Sequence, residues 1–202
     1  FVANVSHEMR TPLTVMMGFL ETVQTLDLPP EQKAQYLEMM MDQGKRMKNL
    51  VEDLLTLANL EANTQPAPLN SVSMNYLMSL IKNDAYALSQ GKHALNVHLN
   101  TACNLLGEER EVLSAFSNLV SNAIRYTPEV GSVTVSWGIN AAGEGEFSVT
   151  DTGPGINAEQ QMRLFRRFEQ AEGAQTTSRY GGSGLGLAIC QELAVAMGGR
   201  IE

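Results

Sequence analysis

Ser6-His7-Glu8-Met9-Arg10-Thr11-Pro12 places a nucleophile, a base and a hydroxyl within one and a half helical turns. An imidazole is a nucleophile at neutral pH because much of it is unprotonated there. Glu8 can fix the ring tautomer and take up the proton released as the other ring nitrogen attacks an electrophile. Thr11 follows His7 by one turn on the same helix face, where its hydroxyl could hold a water. Pro12 withholds an amide from the carbonyl of Glu8, which weakens or bends a helix at a cost of about 3 kcal/mol. A plain surface histidine is the competing reading of His7, and these neighbours argue against it.

Three later segments carry groups suited to a phosphorylated ligand. Asn118, Asn122 and Arg125 are spaced i, i+4, i+7 and form one polar stripe on a helix whose other faces carry Leu113, Phe116, Val120, Ala123 and Ile124. Asparagine lowers helix propensity, so two of them in one helix need a reason. An amide oxygen is a hard donor suited to Mg²⁺, which keeps waters and takes phosphate oxygens. Asn122 is the expected magnesium ligand, Asn118 its support, and Arg125 a cation that neutralises phosphate. Tyr126 is placed either to stack on a base or to close the core. In Asp151-Thr152-Gly153-Pro154-Gly155, Asp151 ends an expected strand and can accept from an adenine amino group, while Gly153 and Gly155 permit positive φ and close backbone approach. Gly182-Ser183-Gly184-Leu185-Gly186 runs into a helix, and a glycine-rich entry to a helix N-terminus exposes amides to anions. It is neither the dinucleotide fingerprint nor a P-loop. Arg166, Arg167 and Arg179 are candidate phosphate contacts, and the polar stretch 169–180 is a candidate lid with Phe165 and Phe168 at its base.

The elements that must hold these groups follow from periodicity. Val5, Met9, Pro12, Met16, Phe19, Val23 and Leu26 form a heptad seam, as do Leu37, Met40, Gly44, Met47, Val51, Leu54 and Ala58. Pro29 and Pro30 break the chain between them. This predicts an antiparallel helical hairpin whose apolar seam is buried by a second copy, a homodimeric four-helix bundle. His7 lies two positions past Val5, off the seam. Residues 64–71, with two prolines, are the expected linker. Beyond it the texture is mixed, with helices expected over 74–88, 109–126 and 185–197, strands over 94–99, 132–139 and 146–151, and a partly helical stretch over 158–168. The predicted fold class is a helical hairpin domain over 1–63 followed by an α/β sandwich over 72–202.

Net charge is −8, which argues against a nucleic-acid partner. No run of apolar residues is long enough to span a membrane. Cys103 and Cys190 have no metal-ligand spacing and are expected as two buried thiols rather than a disulfide. The chain opens inside a helical pattern without Met and stops at Ile201-Glu202 where a strand is expected, so it is taken for a piece of a longer protein.

Taken in order, these segments resemble the H, N, G1, F and G2 boxes of the sensor histidine kinases, and the resemblance covers nearly the whole chain. It implies a dimerisation and phosphotransfer bundle followed by a Bergerat-type ATP-binding domain using ATP and Mg²⁺. It implies that His7 is the phosphoacceptor, Glu8 the base, Asn122 the magnesium ligand and Asp151 the adenine reader. It further implies that Asn118, Arg125, Tyr126, Gly153, Gly155, Arg179, Gly182, Gly184, Leu185 and Gly186 line the nucleotide site, and that Thr11 serves a phosphatase activity. The implied partner is a response-regulator receiver domain. The implied location is the cytoplasmic part of a bacterial inner-membrane protein, which would reach the membrane only through its N-terminal region. The opening stretch most resembles the phosphate-regulon sensors. Two rivals remain: an ATPase of the same nucleotide fold with no phosphoacceptor, and a binding-only scaffold.

Overall fold

The computed structural model describes residues 2–62, 70–169 and 183–202. Helices α1 (Val2–Thr25) and α2 (Pro30–Ala62) form the hairpin. Pro30 opens α2, where its fixed φ and missing N–H suit the first helical position. The antiparallel pairing is pinned by an Arg46–Glu8 ion pair at 3.8 Å and by Phe19 and Tyr36, whose ring centroids lie 5.5 Å apart. Helix α1 runs unbroken through Pro12, which is fully buried. Val5, Met9, Met16, Phe19 and Val23 are half-buried beside it, while Leu26 is exposed.

The seam expected on α2 is only half realised. Met40, Gly44, Met47 and Leu54 are half-buried, but Leu37, Val51 and Ala58 are exposed. The deeply buried residues of α2 are Leu50 and Leu57, one position off that seam. They face a different partner, helix α6 (Gly186–Ala196) of the second half, and this second apolar stripe shifts the buried face of α2. Leu13, Met17, Leu20, Met41 and Leu55 stay exposed on the hairpin.

The second half comprises β1 (Asn70–Val72), α3 (Met74–Ser89), β2 (Ala94–Leu99), β3 (Leu105–Gly107), α4 (Glu109–Tyr126), β4 (Ser132–Ile139), β5 (Gly145–Asp151), α5 (Ala158–Gln161) and α6 (Gly186–Ala196). Strand β4 is central, parallel to β2 and antiparallel to β5. Its alternation sends Val133, Val135 and Trp137 into the core under α3 and α4. Phe116 of α4 stacks on Phe147 of β5 at 3.7 Å between centroids, which ties that helix to the sheet edge carrying Asp151. Strands β1 and β3 form a separate antiparallel pair that periodicity does not reveal, because three residues each are too few to show an alternation. Asn70 and Ser71, expected in the linker, already belong to that ladder. The stretch after Asn157 is helical for four residues only, then turns to Phe168, which sits at φ +65°.

The loop leaving α4 is anchored through His93. Its Nε2–H donates to the Thr127 carbonyl at 3.0 Å, so its Nδ1 accepts from the buried Ser89 hydroxyl at 3.1 Å. Val130 in the same loop has φ +73° with its side chain 93% exposed. A β-branched residue there is strained by roughly 1–2 kcal/mol and gains nothing from burial. Val130→Asn is therefore expected to raise the melting temperature by about 2–4 °C in a thermal unfolding scan.

Of the cysteines, Cys190 is buried but Cys103 is exposed, which corrects the expectation of two buried thiols. Burial pushes the Cys190 thiol up to about 12, and the thiol donates to the Ala115 carbonyl at 3.2 Å. Among the described residues, no helix is long and apolar enough to cross a membrane.

Candidate functional site

His7 is exposed on α1, and Glu8 beside it is half-buried against α2 by its pairing with Arg46. Thr11 Oγ1 donates to the His7 carbonyl at 3.3 Å. This bond uses the hydroxyl proton and leaves the oxygen lone pairs facing solvent, able to accept from a water. Arg46 also acts at a distance on Arg125. Desolvation by burial is the main cause that lowers the Arg125 pKa, and the Arg46 charge adds to it. The end of the hairpin that carries His7 and Glu8 and the polar stripe of α4 are thus electrostatic neighbours.

On α4, Asn118, Asn122 and Arg125 are all half-buried, while Tyr126 is 41% exposed and so does not close the core. Gly186, the first residue of α6, packs against the Asn118 side chain: a Cβ there would lie 3.3 Å from Asn118 Oδ1. Glycine at 186 thereby lets the two helices approach at the site. Asp151 is exposed at the end of β5, and its Oδ1 accepts from the Gly153 amide at 2.7 Å. Any side chain at 153 would press on that carboxylate at 2.6 Å and on the Tyr126 carbonyl at 3.1 Å, so glycine brings the Asp151 loop onto the end of α4. Gly155 follows at φ +72°.

The glycine loop enters α6 through Ser183, Gly184 and the buried Leu185. Gly184 has φ +69°, its carbonyl accepts from the Phe168 amide at 2.8 Å, and a Cβ on it would meet the Phe168 backbone at 2.8 Å. The segment around Phe165 and Phe168 is therefore stitched to the loop by backbone. Arg166 is exposed, and Arg167 pairs with Glu61 of α2 at 2.6 Å, an interaction between the two halves. Arg179 and Gly182, together with most of the candidate lid, lie outside the described residues.

The structure thus sets Asn118, Asn122, Arg125 and Tyr126 along the C-terminal half of α4, with the α6 entry packed at Asn118 and the Asp151–Gly153 loop packed at Tyr126. These residues suit a magnesium nucleotide: Asn122 offers an amide oxygen, Arg125 a cation, and the α6 entry a helix N-terminus with no side-chain cap at Leu185 among the described residues. Among the described residues, no three His, Cys, Asp or Glu side chains cluster as an all-protein metal cage, so phosphate and water oxygens would complete the shell around a magnesium ion held at Asn122. An open cavity of about 310 Å³ elsewhere, lined by Asn100, Thr101, Ser136, Gly138, Ile139 and Glu146, offers one titratable side chain and no cation.

Sequence reasoning missed Asp53. Its Oδ2 accepts from the Ser183 hydroxyl at 2.6 Å, joining α2 to the glycine loop. It stands between Leu50 and Leu57 on the stripe that packs on α6, with Leu54 and Leu60 flanking. The 3-4-3 spacing of Leu50, Asp53, Leu57 and Leu60 was the signal available. Desolvation raises the Asp53 pKa above its ordinary 3.8, outweighing the Ser183 bond that lowers it, and Glu52 raises it further. A carboxyl with a raised folded-state pKa contributes most below its unfolded value and loses that contribution as pH rises through the folded value. Asp53→Asn, which imitates the protonated form, is expected to melt at a higher temperature than the parent chain at pH 7, with the gap closing as both are titrated below pH 3.8.

Comparison with known proteins agrees with this geometry. Residues 1–63 match the His Kinase A (phospho-acceptor) domain, and residues 107–202 match the family described as histidine kinase-, DNA gyrase B- and HSP90-like ATPase. The phosphate regulon sensor protein PhoR of Pseudomonas aeruginosa is 43% identical over 206 residues, covering 100% of this chain and 46% of its own length. The sensor histidine kinase WalK of Bacillus subtilis is 34% identical over 209 residues, covering 100% of this chain and 33% of its own length. The chain thus spans less than half the length of these two relatives. Among solved structures, the Acinetobacter baumannii histidine kinase AdeS superposes with a TM-score of 0.72 at 26% identity, over 94% of this chain and 86% of that one. With a phospho-acceptor hairpin at its head and an ATPase-type sandwich behind it, the chain belongs to the sensor histidine kinases.

Proposed function

We propose that this chain catalyses Mg-ATP-dependent phosphorylation of its own His7 and passes the phosphoryl group to an aspartate of a response-regulator receiver domain. The observation that carries this reading is the pairing of an exposed imidazole, flanked by a carboxylate, with a nucleotide-type constellation on the adjoining domain. Asp151 accepts from the adenine amino group, and the ring of Tyr126 lies against the base. The α6 entry around Gly184 and Gly186 donates amides to phosphate, the Leu185 amide being held by the Ser183 hydroxyl. Asn122, backed by Asn118, holds the magnesium ion, whose charge offsets that of the triphosphate. Arg125 neutralises what remains.

A ring nitrogen of His7 attacks the γ-phosphorus in line, the bond from the γ-phosphorus to the bridging oxygen breaks, and ADP leaves. Glu8 takes the proton from the other ring nitrogen. The protein's part is positioning and charge neutralisation. The resulting phosphoramidate then yields its phosphoryl group to a carboxylate. Thr11, with its lone pairs open to water, supports the reverse duty of hydrolysing the phosphorylated regulator.

The hairpin up to residue 63 acts as the phosphotransfer unit and the chain from residue 72 as the ATP-binding unit, joined through 64–71. Leu13, Met17, Leu20, Met41 and Leu55, exposed on the hairpin, are covered by a second copy in a four-helix bundle. Dependence on ATP places the reaction in the cytoplasm, with any membrane link through sequence N-terminal to this chain. Incubation with Mg-ATP and a panel of receiver domains tests the reading: label moves from His7 to an acyl phosphate on a receiver, and the chain elutes as a dimer in light scattering. Failure to pass label to any receiver would leave the transfer half of the proposal without support.

A further inference from the structure

Asp53 belongs to the hairpin, yet its carboxylate is seated on the glycine loop of the other domain. The Ser183 hydroxyl donates to Asp53 Oδ2 at 2.6 Å and accepts from the Leu185 amide at 3.2 Å, so its proton is committed to the carboxylate. Leu185 leads directly into α6, an 11-residue helix whose N-terminal amides carry partial positive charge. Leu50 and Leu57, one turn to either side of Asp53, are 3% and 1% exposed against Leu185, Ile189 and Leu193, and Arg167 pairs with Glu61 further along. The carboxylate is therefore fixed in place by an apolar clamp. Its burial already makes the charge costly, with the neighbouring charge of Glu52 adding to that cost.

We propose that Asp53 is an electrostatic determinant of nucleotide affinity: the docked hairpin places a negative charge beside the loop that receives the triphosphate, so docking and ATP binding oppose each other. This rests on the assignment of the glycine loop to phosphate binding. Coupling is reciprocal, so a charge that weakens ATP binding in the docked state is a charge through which ATP loosens docking. The consequence suits the reaction. Arrival of ATP favours release of the ATP-binding domain from α2, the motion it needs to present the γ-phosphate to His7, whereas a ligand without phosphates has no such effect.

The test compares ATP with adenosine on the complete chain, using calorimetry for the parent and for Asp53→Asn, which keeps a hydrogen-bond acceptor and the shape. The substitution is expected to tighten ATP by about tenfold at low salt, with a smaller gain in 0.5 M salt, and to leave adenosine unchanged. Hydrogen exchange over residues 50–57 is expected to speed up when ATP, but not adenosine, is added to the parent. A second variant, Asp53→Ala, reports the same ATP gain if local repacking disturbs the first. Unchanged ATP affinity in both variants, or equal gains for ATP and adenosine, overturns the proposal. If the parent binds neither ligand, the nucleotide-site reading itself fails, a result separate from the failure of the Asp53 role.

Discussion

His7→Gln is expected to abolish incorporation of phosphate from γ-labelled Mg-ATP while leaving the fold and ATP binding intact. His7 is exposed, off the buried seam of α1, and Met9 two residues on, not His7, packs into the core cluster with Leu57 and Leu185. Replacing an exposed side chain by a good helix former costs within about 0.5 kcal/mol of stability. The effect on chemistry is the opposite extreme, because glutamine has no nucleophilic nitrogen and no neighbouring group substitutes: Glu8 would form an acyl phosphate and Thr11 a phosphoester, each of different lability. The measurement is autoradiography alongside circular dichroism and calorimetric ATP titration. Residual labelling above about one part in a thousand of the parent would assign the acceptor elsewhere.

Asn122→Ala is expected to lower the rate of autophosphorylation on the order of 10²–10³-fold, the range measured for loss of one group that stabilises transition-state charge. The half-buried amide lies on the stripe shared with Asn118 and Arg125, between Asn118, against which Gly186 of α6 packs, and Tyr126, which the Gly153 loop approaches. Alanine is the better helix former, so stability should not fall. The diagnostic readout is magnesium dependence. In the parent, Mg²⁺ is expected to strengthen ATP binding; in the variant that strengthening is expected to be lost, while adenosine, proposed to be read by Asp151, is expected to bind as before. A variant that kept both its rate and its magnesium response would remove Asn122 from the ion's coordination shell.

The elements that position these groups were legible where their periodicity ran long. The 18-residue helix Glu109–Tyr126 and the eight-residue strand Ser132–Ile139 match their expected bounds, since both repeat their apolar pattern several times and end at proline or glycine signals. His7 was legible as exposed for the same reason, being off a regular seam. Strands β1 and β3 were not, because partners about 35 residues apart in sequence specify each other only in three dimensions. The buried face of α2 was misread because its sequence supports two overlapping stripes, and only the presence of α6 selects Leu50 and Leu57. Asp53 escaped notice on the same ground: a lone aspartate on a helix reads as solvated until Ser183, 130 positions away, is placed against it. The glycines carried more than their motif suggested. Gly153, Gly184 and Gly186 each admit a specific neighbour, Asp151 with Tyr126, Phe168 and Asn118, which sequence marks only as permissive backbone.

The central claim is a phosphoryl group on one imidazole. Incubation of the chain with Mg-ATP, followed by peptide mapping and phosphorus NMR, is expected to give a phosphoramidate stable in base and labile in acid, located on the peptide containing His7. An acid-stable phosphate on a serine or threonine, or ATP turnover with no phosphate retained on that peptide, would contradict the account.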